Sequence, residues 1–165
     1  MEETAQYHVE KVAGPYSKSL QDAILKFLYA LTVEQDSFLL TQDQVLKARE
    51  LFILRDAQNQ KVLGLGGIRP QKYYGLFFLV VHKDFQGMGL GKKLMESVLD
   101  GVDQNRLLLV TVHRSNVKAR KLYKTHKFAT IHRHRVLAYM VYENKIGRLL
   151  KWPVTLVVAL HCLFN

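Results

Sequence analysis

A glycine-rich segment, QGMGLG at residues 86–91, combines residue types and a spacing that can bind an anion. Glycine lets the backbone approach a ligand closely, and the first amides of a helix lack an intrahelical acceptor and lie at the positive end of its dipole. An apolar run at residues 76–81 precedes the segment and a charged, amphipathic run follows it. The six residues alone would also suit a tight structural turn, but between a predicted strand and a predicted helix they indicate a phosphate site.

Residues on both sides of the turn extend this pattern. They are Leu79, Val81, Phe85, Gln86, Gly89, Gly91 and Leu94. In this register the segment resembles the acyl-CoA-binding motif of the GNAT N-acetyltransferase superfamily. A second segment, N-x-x-A-x-x-x-Y-x-x-x-x-F at residues 116–128, resembles the next motif of that superfamily. Lys127 departs from it, because the superfamily commonly has glycine there, so we expect a lysine to accept the turn.

The resemblance covers about residues 7–144 and implies a fold and a cofactor. The fold is an α/β/α sandwich around a mixed, mostly antiparallel sheet, splayed between the fourth and fifth strands so that the pantetheine arm lies between them. The cofactor is acetyl-CoA, whose pyrophosphate the backbone amides of residues 86–92 would bind. The residues implied to contact it are Leu79, Val81, Gln86, Gly87, Met88, Gly89, Leu90, Gly91, Lys92, Asn116 and Tyr123.

The resemblance also implies an N-acyltransferase in which an amine attacks the bound thioester directly. Such a transfer needs aligned reactants, a donor for the developing oxyanion and an acid for the leaving thiolate. We assign the donor to the amide of Val81 and the acid to Tyr123, for which a tyrosine packed in the core is the alternative. Asn116 either lies beside the pantetheine arm or caps the helix that follows it.

The general base departs from the superfamily pattern, since many members have a glutamate in the strand before the turn and residues 76–81 contain no acid. His113, at the end of a predicted strand, is our first candidate, because imidazole exchanges protons near neutral pH. His82 is the second. Water chains, Glu50 and an amine that arrives neutral are the remaining alternatives.

The acceptor amine is left open. In the superfamily the first helix and the loop after it shape the acceptor pocket, and here Tyr29, Glu34 and Phe38 offer acidic and aromatic surface. Such a surface would suit a small cationic amine, a lysine or a peptide N-terminus. The basic C-terminal part of the chain would instead favour an acidic acceptor.

The charge of this 165-residue chain is concentrated in its C-terminal part. Its net charge is +10, yet residues 1–103 hold 12 Lys and Arg against 13 Asp and Glu, whereas residues 104–165 hold 12 against Glu143 alone. Such a field attracts a polyanion, either the phosphates of coenzyme A or nucleic acid, unless it is a solvated face. No zinc-finger spacing or RNA-binding signature favours nucleic acid. A basic nucleic-acid binder and a CoA-binding regulatory module without turnover are the alternative functions.

The cysteine and histidine content bears on compartment and metals. One cysteine, Cys162, excludes an internal disulfide and a cysteine-based zinc cluster and predicts a reducing, cytoplasmic setting. The N-terminal residues lack the layout of a signal peptide. His132 and His134 alternate on a predicted strand without a cysteine or carboxylate near them in sequence. We therefore expect a basic, exposed strand face there and no metal.

Strands and helices that alternate along the chain must position these residues. Hydrophobic periodicity predicts strands at residues 7–13, 50–57, 61–69, 75–81 and 106–113, and two more within 128–143. It predicts helices at residues 17–31, 41–49, 89–102 and 116–125, the first two capped by Ser17 and Thr41. The strand at 106–113 is nearly all apolar, as a strand covered on both faces would be.

An apolar C-terminal extension, residues 146–165, follows the predicted domain of residues 1–145. Its apolar run is about a dozen residues long, whereas a membrane span needs about 20. We expect it to pack on the domain or to form a homodimer. Attachment to a membrane surface through Arg148, Lys151 and Trp152 is the alternative.

Overall fold

Seven strands form one mixed sheet in the computed structural model, which describes residues 6–34 and 40–164. The strands are β1 (Tyr7–Ala13), β2 (Glu50–Asp56), β3 (Val62–Pro70), β4 (Gly75–Val81), β5 (Leu108–His113), β6 (Phe128–His134) and β7 (Leu137–Tyr142). Their spatial order is β1-β2-β3-β4-β5-β7-β6. β4 and β5 pair in parallel at their first residues, while β1–β2, β2–β3, β5–β7 and β6–β7 are antiparallel. The predicted mixed, mostly antiparallel sheet is confirmed.

Five helices accompany these strands within the same residues, which confirms the α/β class. They are α1 (Lys18–Glu34), α2 (Gln42–Leu46), α3 (Leu90–Asp100), α4 (Val117–Thr125) and α5 (Lys145–Phe164). Ser17 accepts a hydrogen bond from the amide of Leu20 over 3.3 Å, and Thr41 forms a reciprocal capping box with Gln44, as expected of N-caps. α2 ends earlier than predicted, because the chain must leave the helix before β2 begins.

The chain divides into two compact units. The first comprises the residues up to Pro70 together with Phe78–Gly101. In it, alternate residues of β2 and β3 point to opposite faces, and Leu51, Ile53 and Leu65 are buried with α1 and α2. α3 also packs against these strands, and a Cβ atom on Gly66 would lie 2.9 Å from a methyl group of Val98. Glycine therefore allows the close approach of α3 to the sheet.

The second unit comprises Gln71–Phe77 and the residues from Val102 onward. In β5 the side chains of Leu108, Val110 and Val112 are buried, whereas those of Leu109, Thr111 and His113 are half-buried. The second face of this strand is thus covered less than its apolar sequence predicts.

The C-terminal extension forms α5, which contacts β6 and β7. The helix begins after Asn144, a buried residue whose side chain accepts from the amide of Gly147 over 2.7 Å and donates to the carbonyl of Arg106 over 2.8 Å. Among the side chains of α5 that the structure describes, five large apolar ones remain exposed: Leu149, Trp152, Leu156, Val157 and Leu160. In the part of the chain that is described, no helix is both long and apolar enough to cross a bilayer.

Candidate active site

The glycine turn joins the end of β4 to the start of α3. A short 3-10 helix (Lys83–Phe85) leads into it, and Gly87 and Gly89 then adopt φ values of 89° and 77°. Both lie in the left-handed region that favours glycine. A Cβ atom at either position would meet nothing within 4 Å, so the glycines are required by the backbone conformation and not by crowding. The surface beside the turn is open to a ligand.

The amides that follow are available to an anion. Gly89 is the N-cap of α3 and offers no side-chain cap, and the first turn of the helix contains no acidic residue. The amide of Lys93 donates to the carbonyl of Gly89 over 3.1 Å, whereas the amides of residues 87–92 donate to no acceptor in the described residues. The amide of Gln86, predicted to belong to this row, already donates to Lys83 over 3.1 Å. An uncapped row of amides at a helix N-terminus fits a phosphate group.

The side chain of Gln86 holds the turn to the strand. Its Nε2 donates to the carbonyl oxygen of Val81 over 3.0 Å. The amide of His82 donates to Leu63 in β3 over 2.8 Å, and successive amides of a strand point to opposite edges. The amide of Val81 therefore points away from β3.

Tyr123 is buried in the second unit, with 5% of its surface exposed. Its ring packs edge-on against Phe77, with centroids 6.1 Å apart, and lies 5.6 Å from the ring of Phe128. Burial raises the pKa of its hydroxyl well above the ordinary tyrosine value. No group in the described residues forms a hydrogen bond with that hydroxyl. A buried hydroxyl without a partner is costly, and a ligand atom would satisfy it.

His113 is the last residue of β5, and Asn116 ends the turn that leads from it to α4. Asn116 caps α4, since its Oδ1 accepts from the amide of Ala119 over 3.0 Å, which is the capping role that the sequence left open. Nδ1 of His113 lies 2.5 Å from the hydroxyl oxygen of Ser115 and 3.4 Å from its amide nitrogen. Ser115 thereby orients the imidazole and leaves Nε2 for proton exchange.

His82 and Glu50, the other candidate bases, have structural contacts. Nδ1 of His82 accepts from the amide of Asp84 over 3.4 Å and caps the 3-10 helix. Its ring is near Phe27 and Phe85, and 12% of its side chain is exposed. Glu50 forms an ion pair with Lys11 over 3.0 Å. Of the three candidate bases, His113 is therefore the one whose side chain is least engaged in structural contacts, since among the described residues Ser115 alone hydrogen-bonds to its ring.

The remaining predicted residues occupy varied environments. Leu79 is half-buried and Leu90 is buried, whereas Met88 and Tyr29 are 54% and 72% exposed. Nζ of Lys92 lies 3.8 Å from Oε1 of Glu96, which is one turn further along α3. The side chain of Glu34 and all of Phe38 lie outside the described residues. Of the three side chains predicted to bind the acceptor, the described residues therefore include that of Tyr29, which lies on α1.

Two features were not apparent in the sequence or differ from its prediction. Lys93 donates to the backbone carbonyl of Tyr7 over 2.7 Å, which joins α3 to β1. The predicted exposed strand face is wrong for His132 and His134, because both side chains are half-buried and lie beside the buried Cys162. Lys127 adopts the left-handed backbone conformation, with φ at 64°, as predicted for a lysine at the usual glycine position of the turn.

A comparison of the sequence with known protein families identifies one that includes the residues of this site. The model of the Acetyltransferase (GNAT) family matches residues 18–128, more than half of the chain and including both the glycine turn and Tyr123. The chain belongs to the GNAT acetyltransferase family. Acetyl-CoA is the cofactor of this family, as the glycine motif predicts. No protein of curated function matches the sequence.

Solved GNAT structures share the fold. The yncA protein of Salmonella typhimurium, solved with its cofactor acetyl-CoA, is 16% identical, with a TM-score of 0.60 over 81% of this chain and 91% of that one. The spermidine/spermine N-acetyltransferase SpeG of Vibrio cholerae is 16% identical, with a TM-score of 0.58 over 82% and 91%. The ribosomal-protein-S18-alanine N-acetyltransferase of Escherichia coli is 21% identical, with a TM-score of 0.55 over 81% and 91%.

Proposed function

We propose that this GNAT-family protein is an acetyl-CoA-dependent N-acetyltransferase that transfers the acetyl group to a primary amine by direct attack. The observation that carries the proposal is the row of unpaired amides at residues 87–92, which begins an uncapped helix and is joined through Gln86 to the end of β4. These residues can bind phosphate and hold the strand end in a fixed relation to it.

Acetyl-CoA, when bound, supplies an activated acyl group on a thioester. The amides of residues 87–92 bind its pyrophosphate, and Leu79, Met88 and Leu90 contact the rest of the molecule. The amide of Val81 donates to the acyl oxygen as negative charge develops there. One such donor contributes about 3 kcal/mol to the lowering of the barrier.

Tyr123 and His113 are the proposed proton-transfer groups. The hydroxyl of Tyr123, whose pKa burial raises further above the ordinary tyrosine value, carries its proton near neutral pH, and it gives that proton to the thiolate as the carbon–sulfur bond breaks. Nε2 of His113 accepts the proton of the attacking amine, directly or through water, in the tautomer whose Nδ1 carries the proton and donates to the hydroxyl of Ser115. The proposal thus assigns the acid and the base to different residues.

The acceptor class that we propose is a small cationic amine or a peptide amine. The Vibrio cholerae protein is named for the polyamines spermidine and spermine, and the Escherichia coli protein is named for an alanine of a ribosomal protein. Both kinds of molecule present an amino group, which agrees with the aromatic and acidic residues Tyr29, Glu34 and Phe38 predicted to line the acceptor pocket. Glu34 would attract a cation and Tyr29 would contact its carbon chain.

A panel of acceptors tests the proposal. Acetyl-CoA is incubated with the protein and with a polyamine, a lysine-containing peptide, a peptide with a free N-terminus or an acidic amine, and mass spectrometry follows both products. We expect one amine to gain one acetyl group for each coenzyme A released. Binding of acetyl-CoA without transfer to any amine would instead support a regulatory module, which the absence of an acid at residues 76–81 favours.

We further propose that the protein is a homodimer through α5. Its exposed apolar face, formed by Leu149, Trp152, Leu156, Val157 and Leu160, is larger than isolated surface side chains would produce. A second copy of the chain would cover it. The same face could attach to a membrane surface, which sedimentation with and without vesicles distinguishes.

A further inference from the structure

Three potential metal ligands from distant parts of the sequence lie together in the second unit. His132 and His134 are on β6, and Cys162 is near the end of α5. One ligand atom from each residue lies within 4.8 Å of the ligand atoms of the other two. None of the three residues is among those assigned to acetyl transfer, so a role for this cluster does not depend on that activity.

A register shift in β6 places both histidines on the same face of the sheet as Tyr139 of β7. β6 pairs with β7 in order until Thr130, opposite Met140, and after the shift His132 is opposite Tyr139 and His134 is opposite Leu137. Directly opposed residues of antiparallel strands share a face. His132, His134 and Tyr139 therefore lie on the same side of the sheet. Because Cys162 of α5 lies close to both histidines, α5 covers this side. Arg133 lies between the histidines and is exposed.

The immediate surroundings hold the three groups in place. The rings of His132 and His134 are stacked, with centroids 6.4 Å apart and an angle of 16° between the planes. The ring of His132 is also 6.2 Å from that of Tyr139, whose pKa is raised by burial and by the neighbouring Cys162. Cys162 is 6% exposed and the histidines are half-buried. Surroundings of this kind admit a small ion and exclude most bulk water.

We propose that His132, His134 and Cys162 bind one Zn²⁺ ion. Two imidazole nitrogens and a thiolate are ligands that zinc prefers, whereas Mg²⁺ and Ca²⁺ require oxygen ligands. Zinc bonds of about 2.0–2.1 Å to nitrogen and about 2.3 Å to sulfur place tetrahedral ligands roughly 3.3–3.7 Å apart. The ligand atoms are already within 4.8 Å of one another, so side-chain rotations that move each of these atoms by about 1 Å complete the site. A water molecule occupies the fourth position.

The bound ion would join the C-terminal helix to the sheet. Cys162 is 28 positions after His134, so the zinc bonds would close a long loop of the chain. A ligand that binds the folded protein but not the unfolded one raises its stability. Zinc should accordingly raise the melting temperature, and chelation should lower it.

Cobalt substitution tests the site directly, because thiolate-bound Co²⁺ absorbs light and Zn²⁺ does not. Protein without a purification tag is stripped with a chelator, kept reduced and titrated with Co²⁺. We expect one Co²⁺ per chain, a thiolate-to-cobalt charge-transfer band and intense tetrahedral visible bands, all removed by an equivalent of Zn²⁺. Zinc should also raise the melting temperature of the stripped protein.

Single variants separate this site from adventitious binding. Cys162→Ser should lose the charge-transfer band, and His132→Ala and His134→Ala should each weaken Zn²⁺ binding at least tenfold. His8→Ala, a histidine of β1 in the first unit, should bind as the wild type does. Circular dichroism verifies that each variant is folded. Absence of the thiolate band in the wild type, or equal zinc affinity in the wild type and all three ligand variants, would overturn the proposal.

Discussion

The side-chain amide of Gln86 donates a hydrogen bond to the backbone carbonyl of Val81 over 3.0 Å. This bond joins the first residue of the glycine turn to the last residue of β4. The row of amides proposed to bind phosphate and the amide proposed to stabilise the acyl oxygen are thus mechanically linked. Gln86 is a positioning residue, because its own amide is engaged by Lys83.

Gln86→Ala should weaken acetyl-CoA binding. The substitution removes one hydrogen bond worth about 1 kcal/mol, which corresponds to roughly a fivefold increase in the dissociation constant. Isothermal titration calorimetry measures this constant. Gln58→Ala, at the exposed tip of the β2–β3 hairpin, is the matched control and should leave it unchanged. Equal affinity in all three proteins would show that the bond to Val81 does not position the turn.

Gly89→Ala should damage the anion site through its backbone. Alanine at a φ of 77° costs about 1–2 kcal/mol, so the variant should relax towards another conformation and move the amides of the turn. We expect a melting temperature a few degrees lower and acetyl-CoA affinity at least tenfold weaker. Gly101→Ala is the control, since Gly101 has a φ of −95° and open space for a Cβ atom. If both variants bound acetyl-CoA alike, the turn would not be the phosphate site.

Tyr123→Phe should lower kcat about 100-fold while acetyl-CoA affinity changes little, because the ring packing against Phe77 and Phe128 is preserved. The hydroxyl has no partner in the described residues, so its removal should not destabilise the ligand-free protein. Steady-state kinetics and thermal unfolding measure the two effects. A marked loss of stability with unchanged kcat would assign Tyr123 to the core and not to catalysis.

The pH dependence follows from the same tyrosine. An acid must carry its proton to act, and burial raises the pKa of Tyr123 above the ordinary value of about 10. Ionisation of Tyr123 should therefore not reduce kcat at any pH below about 10. Profiles of kcat against pH for the wild type and Tyr123→Phe provide the measurement. A decline between about pH 7 and 9 that is present in the wild type and absent in the variant would contradict the assigned acid.

Lys127→Gly should stabilise the protein. Lys127 adopts a φ of 64°, which costs a side chain about 1 kcal/mol that glycine avoids, although glycine gains some entropy in the unfolded chain. Denaturant unfolding should show a rise in the free energy of unfolding. Lys124→Gly, within α4, should lower it by about 1 kcal/mol. Destabilisation by both substitutions would argue against strain at Lys127.

Much of the fold could be predicted because strong local signals bound its elements. Gly14 and Pro15 end β1, and Gly75 begins β4, so both strands have the predicted limits. The helical spacing of apolar residues in α1 and the glycine turn before α3 are likewise patterns formed by residues that are close in sequence. The glycine turn of the candidate site belongs to this class, which is why its backbone conformation agrees with the motif.

Other parts depend on contacts that spacing alone does not encode. The bond from Gln86 to Val81 depends on how the 3-10 helix folds back, and Asn116 could be assigned to the cap of α4 only from its position. No pattern in the sequence brings Cys162 to His132, because their proximity depends on a register shift in β6 and on the packing of α5. Side-chain partners are therefore less predictable than the elements that carry them.

The most direct test of direct acetyl transfer uses intact-protein and product mass spectrometry in one reaction. The protein is first mixed with acetyl-CoA alone, and then with the amine that the acceptor panel identifies. Direct attack predicts that the protein mass does not change in the first step and that the amine gains one acetyl group for each coenzyme A released in the second. An acetylated protein that forms first and then passes its acetyl group to the amine, or release of coenzyme A without an acetylated amine, would contradict it.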